Sequence, residues 1–166
     1  RERTIRALDR TVDYVEQAMP DALGFETQKD VTVYALDQIK VEGHYLEFGV
    51  YTGGTMRFIA NRVGGHKIHG FDSFEGLPDA WGGFSLGRKA FDVGGRLPKV
   101  PSNVQLYPGW FENTVPGWAA ANPGPIAFMH VDCDLYSSTK TIFDLLGDRM
   151  VPGTIILFDE YFNYPN

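Results

Sequence analysis

Hydrophobic positions in the first part of the chain follow the period of a helix. An apolar residue recurs every three or four positions, which predicts an amphipathic helix over residues 3–18. Thr27 and Asp30 have the spacing of a capping box, which predicts a second helix that runs to about Ile39. The chain therefore begins with helical structure before any strand.

Short apolar runs bounded by glycine, proline or polar residues follow, and they predict strands. The predicted strands are residues 44–50, 68–71, 104–107, 126–131 and 154–158. Between them, apolar spacing predicts a helix over 54–63 and another over 138–150, the second with a serine cap at Ser137 or Ser138. Because strands alternate with helical segments, the sequence predicts an α/β fold with a parallel sheet.

Residues 76–102 break this alternation. Glycine and proline interrupt the segment throughout, and no period survives. A loop of this length inside a compact domain is usually functional or disordered. The aromatic residues Trp81, Phe84 and Phe91 favour a binding lid rather than a flexible linker.

Composition narrows the class of protein. The 166 residues are 43% hydrophobic and 22% charged, which predicts one globular domain over 1–166, with a helical segment 1–42 and an α/β core 43–166. No apolar run approaches the roughly 20 residues that span a bilayer, and the sequence does not open on a signal peptide. We therefore expect no membrane partner and a cytoplasmic location.

The cysteine count and the net charge argue against further kinds of site and partner. Cys133 is the single cysteine, so the sequence holds no internal disulfide and no thiolate metal cluster, as a reducing compartment would allow. The net charge of −6 argues against a nucleic-acid partner. A small-molecule substrate is the remaining expectation.

A glycine-rich turn follows the first predicted strand. The residues Glu47, Gly49 and Gly53 form a Glu-x-Gly-x-x-x-Gly pattern between that strand and a helix. Such a turn lets the backbone come close to a nucleoside ligand, and its spacing disfavours a dinucleotide. The same turn also occurs for packing reasons alone.

Four predicted strands carry an acidic residue at or next to their carboxyl ends, where open α/β sheets bind ligands. These residues are Glu47, Asp72, Asp132 and Asp159. A carboxylate at Asp72 can accept hydrogen bonds from both ribose hydroxyls of a nucleoside. The alternative is that each acid caps the turn that follows it.

Asp134 and Glu160 add two more carboxylates beside Asp132 and Asp159. If their strands are neighbours, so many like charges require raised pKa values or a cation. Mg²⁺ prefers oxygen ligands, and Asp132, Asp159 and Glu160 could supply them. The alternative is that Asp134 and Glu160 point to solvent and bind no metal.

Several aromatic and histidine residues have weaker interpretations. His130 lies within a predicted strand and is expected in the core or behind the site. Trp110, Phe111 and Trp118 follow a strand, so they either line an adenine pocket or belong to the core.

Taken together, these motifs resemble the macrocin O-methyltransferase family, bacterial class I S-adenosylmethionine (SAM) methyltransferases that methylate sugar hydroxyls of macrolide and aminocoumarin antibiotics. The matching stretches are residues 46–55, 71–78, 130–139 and 158–161. The phrases Asp-Ser-Phe-Glu-Gly-Leu-Pro and Asp-Cys-Asp-Leu-Tyr-Ser carry most of the specificity.

The resemblance implies a Rossmann-like fold with helices on both faces of a mostly parallel sheet. It implies Mg²⁺-dependent transfer of a methyl group from SAM to a hydroxyl of a small molecule, with Asp134 as general base. Asp132, Asp159 and Glu160 would bind the metal. The residues expected at the cofactor site are Glu47, Gly49, Tyr51, Thr52, Gly53, Thr55, Asp72, Ser73, Gly109 and Asp132.

The sequence departs from the family at two points. Glu160 stands where the family usually has a second Asp, and the sequence ends eight residues after Phe158, where the family continues with a helix and an antiparallel hairpin. We therefore expect the C-terminal strands to be missing and the last strand to have an exposed edge.

Three other functions stay open at this point. They are a catechol-type phenolic O-methyltransferase, a SAM-binding module without catalysis and, more distantly, a nicotinamide oxidoreductase. A homo-oligomer is also left open.

Overall fold

The computed structural model describes residues 2–81 and 86–160 of the chain. Phe84 of the predicted lid and Tyr161 of the last matching stretch lie outside the described residues. The described helices are α1 Glu2–Ala18, α2 Gln28–Asp37, α3 Gly54–Arg62, α4 Phe111–Ala121 and α5 Tyr136–Leu146. The described strands are β1 His44–Phe48, β2 Ile68–Asp72, β3 Val104–Pro108, β4 Ile126–Val131 and β5 Met150–Phe158.

The five strands form one sheet in the order β3-β2-β1-β4-β5, and every neighbouring pair is parallel. The chain builds outward from β1 through β2 to β3, and then returns to the other side of β1 for β4 and β5. The carboxyl ends of β1 and β4 therefore meet where the strand order reverses, which is the usual ligand site of such sheets. The parallel α/β sheet is confirmed.

Helices cover both faces of the sheet, as predicted. One core layer contains Ala35 of α2 and Met56 of α3. The other contains Val115 of α4 and Ile142 of α5. Successive residues of a strand point to opposite faces, so each buried strand contributes to both layers. Among the described helices, none is both long and apolar enough to cross a bilayer.

Local signals in the sequence set several element boundaries. The Thr27 hydroxyl accepts a hydrogen bond from the Asp30 N–H at 3.2 Å and donates to the Asp30 carboxylate at 2.7 Å, which begins α2. Gly64 has a φ of +59° just beyond the end of α3. The predicted bounds of β4 agree with the structure.

Two local predictions were wrong. The prediction contained no helix between β3 and β4, whereas α4 fills that connection. The predicted serine cap of α5 is absent, because this helix begins at Tyr136 after an N-cap at Leu135 that makes no side-chain capping bond. Ser137 and Ser138 lie instead within the first turn of α5 and line a cleft.

The connection between β2 and β3 is irregular over its described residues, as predicted. Two isolated antiparallel bridges, between Glu75 and Asp92 and between Trp81 and Leu86, hold it together. It covers the carboxyl edge of the sheet rather than extending away from it, since Trp81 and Phe91 both line the cleft.

Candidate active site

Main-chain hydrogen bonds continue between the strands beyond their carboxyl ends. The N–H groups of Gly49, Asp132 and Asp159 each donate to the neighbouring strand, at 2.9, 2.8 and 3.1 Å. These residues are therefore fixed by the sheet itself rather than by flexible loops. A site built on them has a rigid backbone.

Gly49 lies where the turn after β1 presses against the chain after β4. Its φ is +92°, and a Cβ at this position would lie 1.7 Å from the carbonyl oxygen of Asp132. No side chain fits there. Gly49 thus has a packing role.

A cleft of about 950 Å³ opens at this edge of the sheet. Eight of the predicted site residues line it. They are Gly49, Tyr51, Asp72, Ser73, Asp132, Asp134, Asp159 and Glu160. The remaining five do not line it, and these are Glu47, Thr52, Gly53, Thr55 and Gly109.

The predicted site residues that do not line the cleft have other places in the fold. The Thr52 carbonyl accepts a hydrogen bond from Arg57 at 2.9 Å. Gly53 caps the N-terminus of α3 at a φ of +76°, where a Cβ would lie 3.2 Å from Pro98. Thr55 is already inside α3. These residues shape the turn beneath the cleft.

Asp72 ties the turn after β1 to the turn after β2. One of its carboxylate oxygens accepts hydrogen bonds from the N–H groups of Val50 and Tyr51, at 2.8 and 2.7 Å. The other accepts from the Phe74 N–H at 2.7 Å. Asp72 therefore caps the turns, as the alternative interpretation held, and it also lines the cleft. A carboxylate has about four acceptor sites, so one of them remains for a ligand.

The acidic residues after β4 and β5 lie close together. Carboxylate oxygens of Asp132, Asp134 and Glu160 lie within 4.8 Å of one another. A second group, equally close, combines Asp132 and Asp159 with a ring nitrogen of His130. The predicted metal ligands are thus divided between two overlapping groups that share Asp132.

This crowding changes the acidity of the cluster. Burial, then the charge of Asp159, raises the pKa of Asp132 to about 7. Burial, then the charge of Asp134, raises the pKa of Glu160 to about 7. Burial and the charges of Asp159 and Asp72 raise the pKa of Asp134 to about 6. The cluster therefore lacks sufficient positive charge to balance its carboxylates.

Glu47 and His130 form a buried pair beneath this cluster. They are register partners on β1 and β4, each is 1% exposed, and the His130 Nδ1 lies 3.0 Å from a Glu47 oxygen. Burial raises the pKa of Glu47. Burial alone would lower the pKa of His130, but the hydrogen bond and charge of Glu47 outweigh it and raise that pKa. Both shifts favour a proton held within the pair at neutral pH.

Some residues at the cleft were not predicted there. Arg88 lines the cleft from the irregular β2–β3 connection, where no periodic pattern marks it. Thr141 lines it from α5, one turn beyond Ser137 and Ser138, and helical spacing could have identified this polar face. The Gln28 side-chain amide, at the start of α2, donates to the Asp159 carboxylate.

The aromatic residues after β3 divide between the cleft and the core. Trp110 and Phe111 line the cleft. Trp118, in contrast, is 3% exposed and belongs to the core layer under α4 and α5.

Comparison with known proteins identifies the family. A family model described as a methyltransferase domain matches residues 46–161, and the chain belongs to this family. Among solved structures, the chain is similar to the crystal structure of CalS11, a calicheamicin methyltransferase, with a TM-score of 0.69 and 27% identity. That match covers 99% of this chain and 78% of the other. The class I methyltransferase fold is thus confirmed.

Curated relatives agree with the resemblance in the sequence. The 8-demethyl-8-(2,3-dimethoxy-alpha-L-rhamnosyl)-tetracenomycin-C 4'-O-methyltransferase of Streptomyces olivaceus is 30% identical over 73% of this chain and 54% of its own length. Mycinamicin III 3''-O-methyltransferase of Micromonospora griseorubida is 27% identical, over 73% of this chain and 56% of its own length. The chain spans about half the length of the curated relatives it matches.

Proposed function

We propose that this chain forms the catalytic core of a SAM-dependent O-methyltransferase that methylates a hydroxyl of a small-molecule sugar with the help of Mg²⁺. One observation carries the proposal. The cleft at the carboxyl edge of the sheet is lined both by the Gly49 turn with Asp72 and by the carboxylates of Asp132, Asp134, Asp159 and Glu160. The first group suits a nucleoside donor, and the second suits a hydroxyl acceptor.

The cofactor side of the proposal rests on the turn after β1. Gly49 lines the cleft, and its close packing against the chain after β4 holds the backbone of the turn in a fixed position for a ligand. Asp72, already fixed by three N–H donors, has one acceptor site left for a ribose hydroxyl. SAM, when bound, supplies an electrophilic methyl group, and the chain's contribution is mainly to hold donor and acceptor in line.

The residues of the acidic cluster fit a hard divalent cation. Its donors are carboxylate oxygens, which Mg²⁺ prefers. Burial first, and then repulsion among the carboxylates, raise their pKa values, and a bound cation would offset both effects. We propose Asp132, Asp159 and Glu160 as the residues that hold it. When bound, Mg²⁺ supplies Lewis acidity that makes a sugar hydroxyl easier to deprotonate.

Asp134 is the proposed general base. Its backbone is in the left-handed region, with a φ of +59°, and its side chain lines the cleft beside Glu160. With a pKa of about 6, the carboxyl is ionised at neutral pH and still basic enough to accept a proton. The acceptor class comes from the relatives, whose names place the methyl group on an oxygen of a rhamnosyl tetracenomycin or of mycinamicin III.

The first test is calorimetric titration of SAM into the 166-residue chain, with Mg²⁺ and then with EDTA. Micromolar binding of SAM would support the cofactor site. A chain that is folded by circular dichroism and does not bind SAM would contradict it. An acceptor screen with sugars and catechols would then separate the sugar from the phenolic function.

Replacing Asp134 tests the base. Asp134→Asn should keep SAM affinity and lose about 10²-fold or more in kcat, because the amide cannot accept the proton. The matched control is Asp144→Asn, since the Asp144 side chain is 61% exposed in a surface ion pair with Lys140 and should leave kcat unchanged. Equal kcat in both variants would remove Asp134 from the mechanism.

Replacing Asp159 tests the metal site. Asp159→Asn should weaken Mg²⁺ binding by about tenfold or more, because a neutral amide is a poorer ligand than a carboxylate. The measurement is a Mg²⁺ titration by calorimetry with SAM present. A Mg²⁺ affinity equal to that of the Asp144→Asn control would overturn the ligand assignment.

A further inference from the structure

Glu47 is buried beneath the acidic cluster rather than in the lining of the cleft. Its side chain is 1% exposed, and one of its oxygens lies 3.0 Å from the His130 Nδ1. The other oxygen has no hydrogen-bond partner among the described residues. Because an unpartnered buried oxygen costs stability, an apolar side chain would fill this place better. The place of Glu47 therefore indicates a function other than packing.

His130 connects Glu47 to the acidic cluster. The two residues are register partners on β1 and β4, and the chain continues from β4 directly to Asp132. Asp159 follows β5, which is the other neighbour of β4. A ring nitrogen of His130 and carboxylate oxygens of Asp132 and Asp159 all lie within 4.8 Å of one another. The His130 ring thus lies between Glu47 and two of the proposed Mg²⁺ ligands.

The proposed Mg²⁺ ligands need support from groups behind them. Groups that contact the ligands of a metal fix the orientation of those ligands, and losing one typically lowers metal affinity by about 10–100-fold. The Gln28 side-chain amide, at the start of α2, is one such group, because it donates to the Asp159 carboxylate. The His130 ring is the second, and Glu47 fixes that ring through the hydrogen bond to Nδ1.

We propose that Glu47 is a positioning residue that holds the His130 ring against the carboxylates of Asp132 and Asp159 and does not touch the cofactor. The inference rests on the proposed function, since that function assigns these two carboxylates to Mg²⁺. The acidic residue of the glycine motif would then serve the metal side of the site rather than the SAM side.

A double-mutant cycle tests whether Glu47 acts through His130. The variants are Glu47→Leu, His130→Leu and the two combined, and calorimetry on the 166-residue chain with SAM present gives the Mg²⁺ dissociation constant. Each single substitution should raise that constant about tenfold or more, and the double variant should bind no more weakly than His130→Leu. Equal Mg²⁺ affinity in Glu47→Leu and the parent chain, or two effects that simply add, would overturn the proposal.

Urea unfolding of the same variants separates positioning from packing. Each single variant leaves a buried polar group without its partner, whereas the double variant replaces the pair with two apolar side chains. The urea midpoint should therefore fall in the single variants and recover in the double variant, while Mg²⁺ affinity stays low. Leu146→Ala is the control, since Leu146 is fully buried at the end of α5 and should lower the midpoint alone. Mg²⁺ affinity that recovers together with the midpoint would reduce the pair to a structural role.

Glu47→Gln tests the contact with the cofactor, and it also covers the case in which a leucine variant does not fold. The amide can still hydrogen-bond the His130 Nδ1 but carries no charge, so the Mg²⁺ and SAM dissociation constants should both stay within about threefold of the parent values. If the carboxylate instead bound the ammonium group of SAM, its loss would raise the SAM constant about tenfold or more, which would contradict the positioning role.

The parent chain separates this inference from the proposed function. A parent chain that binds no Mg²⁺ would refute the metal site itself, and the positioning role with it. A parent chain that binds Mg²⁺ and SAM, with a Mg²⁺ affinity that Glu47→Leu leaves unchanged, would overturn the positioning role alone.

Discussion

The close approach at Gly49 predicts that a single added methyl group would strongly lower the free energy of unfolding. Gly49→Ala would hold an alanine at a φ of +92° and place its Cβ 1.7 Å from the Asp132 carbonyl oxygen. The left-handed backbone costs about 1–2 kcal/mol. Relieving the overlap requires β1 and β4 to move apart, which costs about 1–3 kcal/mol. We therefore expect a loss of about 2–5 kcal/mol, a large part of the ~5–15 kcal/mol of a typical domain.

Two other glycines separate the effect of the left-handed backbone from the effect of the overlap. Gly64→Ala imposes a left-handed φ of +59°, but its Cβ has no described neighbour within 4 Å, so it should cost about 1 kcal/mol. Gly54→Ala has neither feature and lies at the start of α3, so it should stabilise by about 0.5–1 kcal/mol. The effect of alanine on the unfolded chain is common to all three variants and cancels in the comparison.

The assay is urea unfolding of the three variants and the parent chain, followed by far-UV circular dichroism. Calorimetry of SAM on Gly49→Ala adds a functional reading, because the same displacement would widen the cleft. If Gly49→Ala unfolds at the same urea concentration as Gly64→Ala, the contact with Asp132 does not restrict the turn. The argument from close packing would then be refuted.

Two further predictions concern stability. Burial lowers the pKa of His69 from 6.5 to about 4. Between these pH values the unfolded chain binds a proton that the folded chain does not. The free energy of unfolding should therefore fall by up to about 3 kcal/mol as the pH drops through this window. Urea titrations of His69→Gln should show a flatter pH profile, and an unchanged profile would contradict this. Arg149 donates to the Asn122 carbonyl at 2.6 Å, at the end of α4, so Arg149→Ala should cost about 1–3 kcal/mol in the same assay. Arg149→Lys should recover part of that loss, and equal stability of all three chains would exclude the interaction.

The strands of the parallel sheet and the acidic residues at its edge could be predicted because they depend on strong local signals. The run from Ile126 to Val131 is apolar except for His130 and is followed by Asp132, so both the strand and its exit residue were identifiable. In contrast, α4 contains Pro116 followed by Gly117, a pair that usually indicates a turn. The helix forms nevertheless, because it buries Val115 and Trp118 against the sheet.

The candidate site was less predictable in its side-chain pairings than in its location. Glu47 was expected at the cofactor, but it lies 83 residues from His130 in sequence and pairs with it through the register of β1 and β4. A single sequence does not contain that register. The contact of Gln28 with Asp159 likewise depends on how α2 packs against β5.

The position of β1 between β2 and β4 has a consequence for the order of assembly. β2 follows β1 closely in the chain, whereas β4 ends 83 residues after Phe48, at Val131. Closing such a long loop is slow, so β1 and β2 can pair while the other edge of β1 still lacks its neighbour. During synthesis this edge of β1 stays unpaired until β4 has left the ribosome. Until that point, it is the segment most exposed to pairing with another chain. The contact between Gly49 and Asp132 forms at that late step, so the candidate active site is completed only after the centre of the sheet has closed.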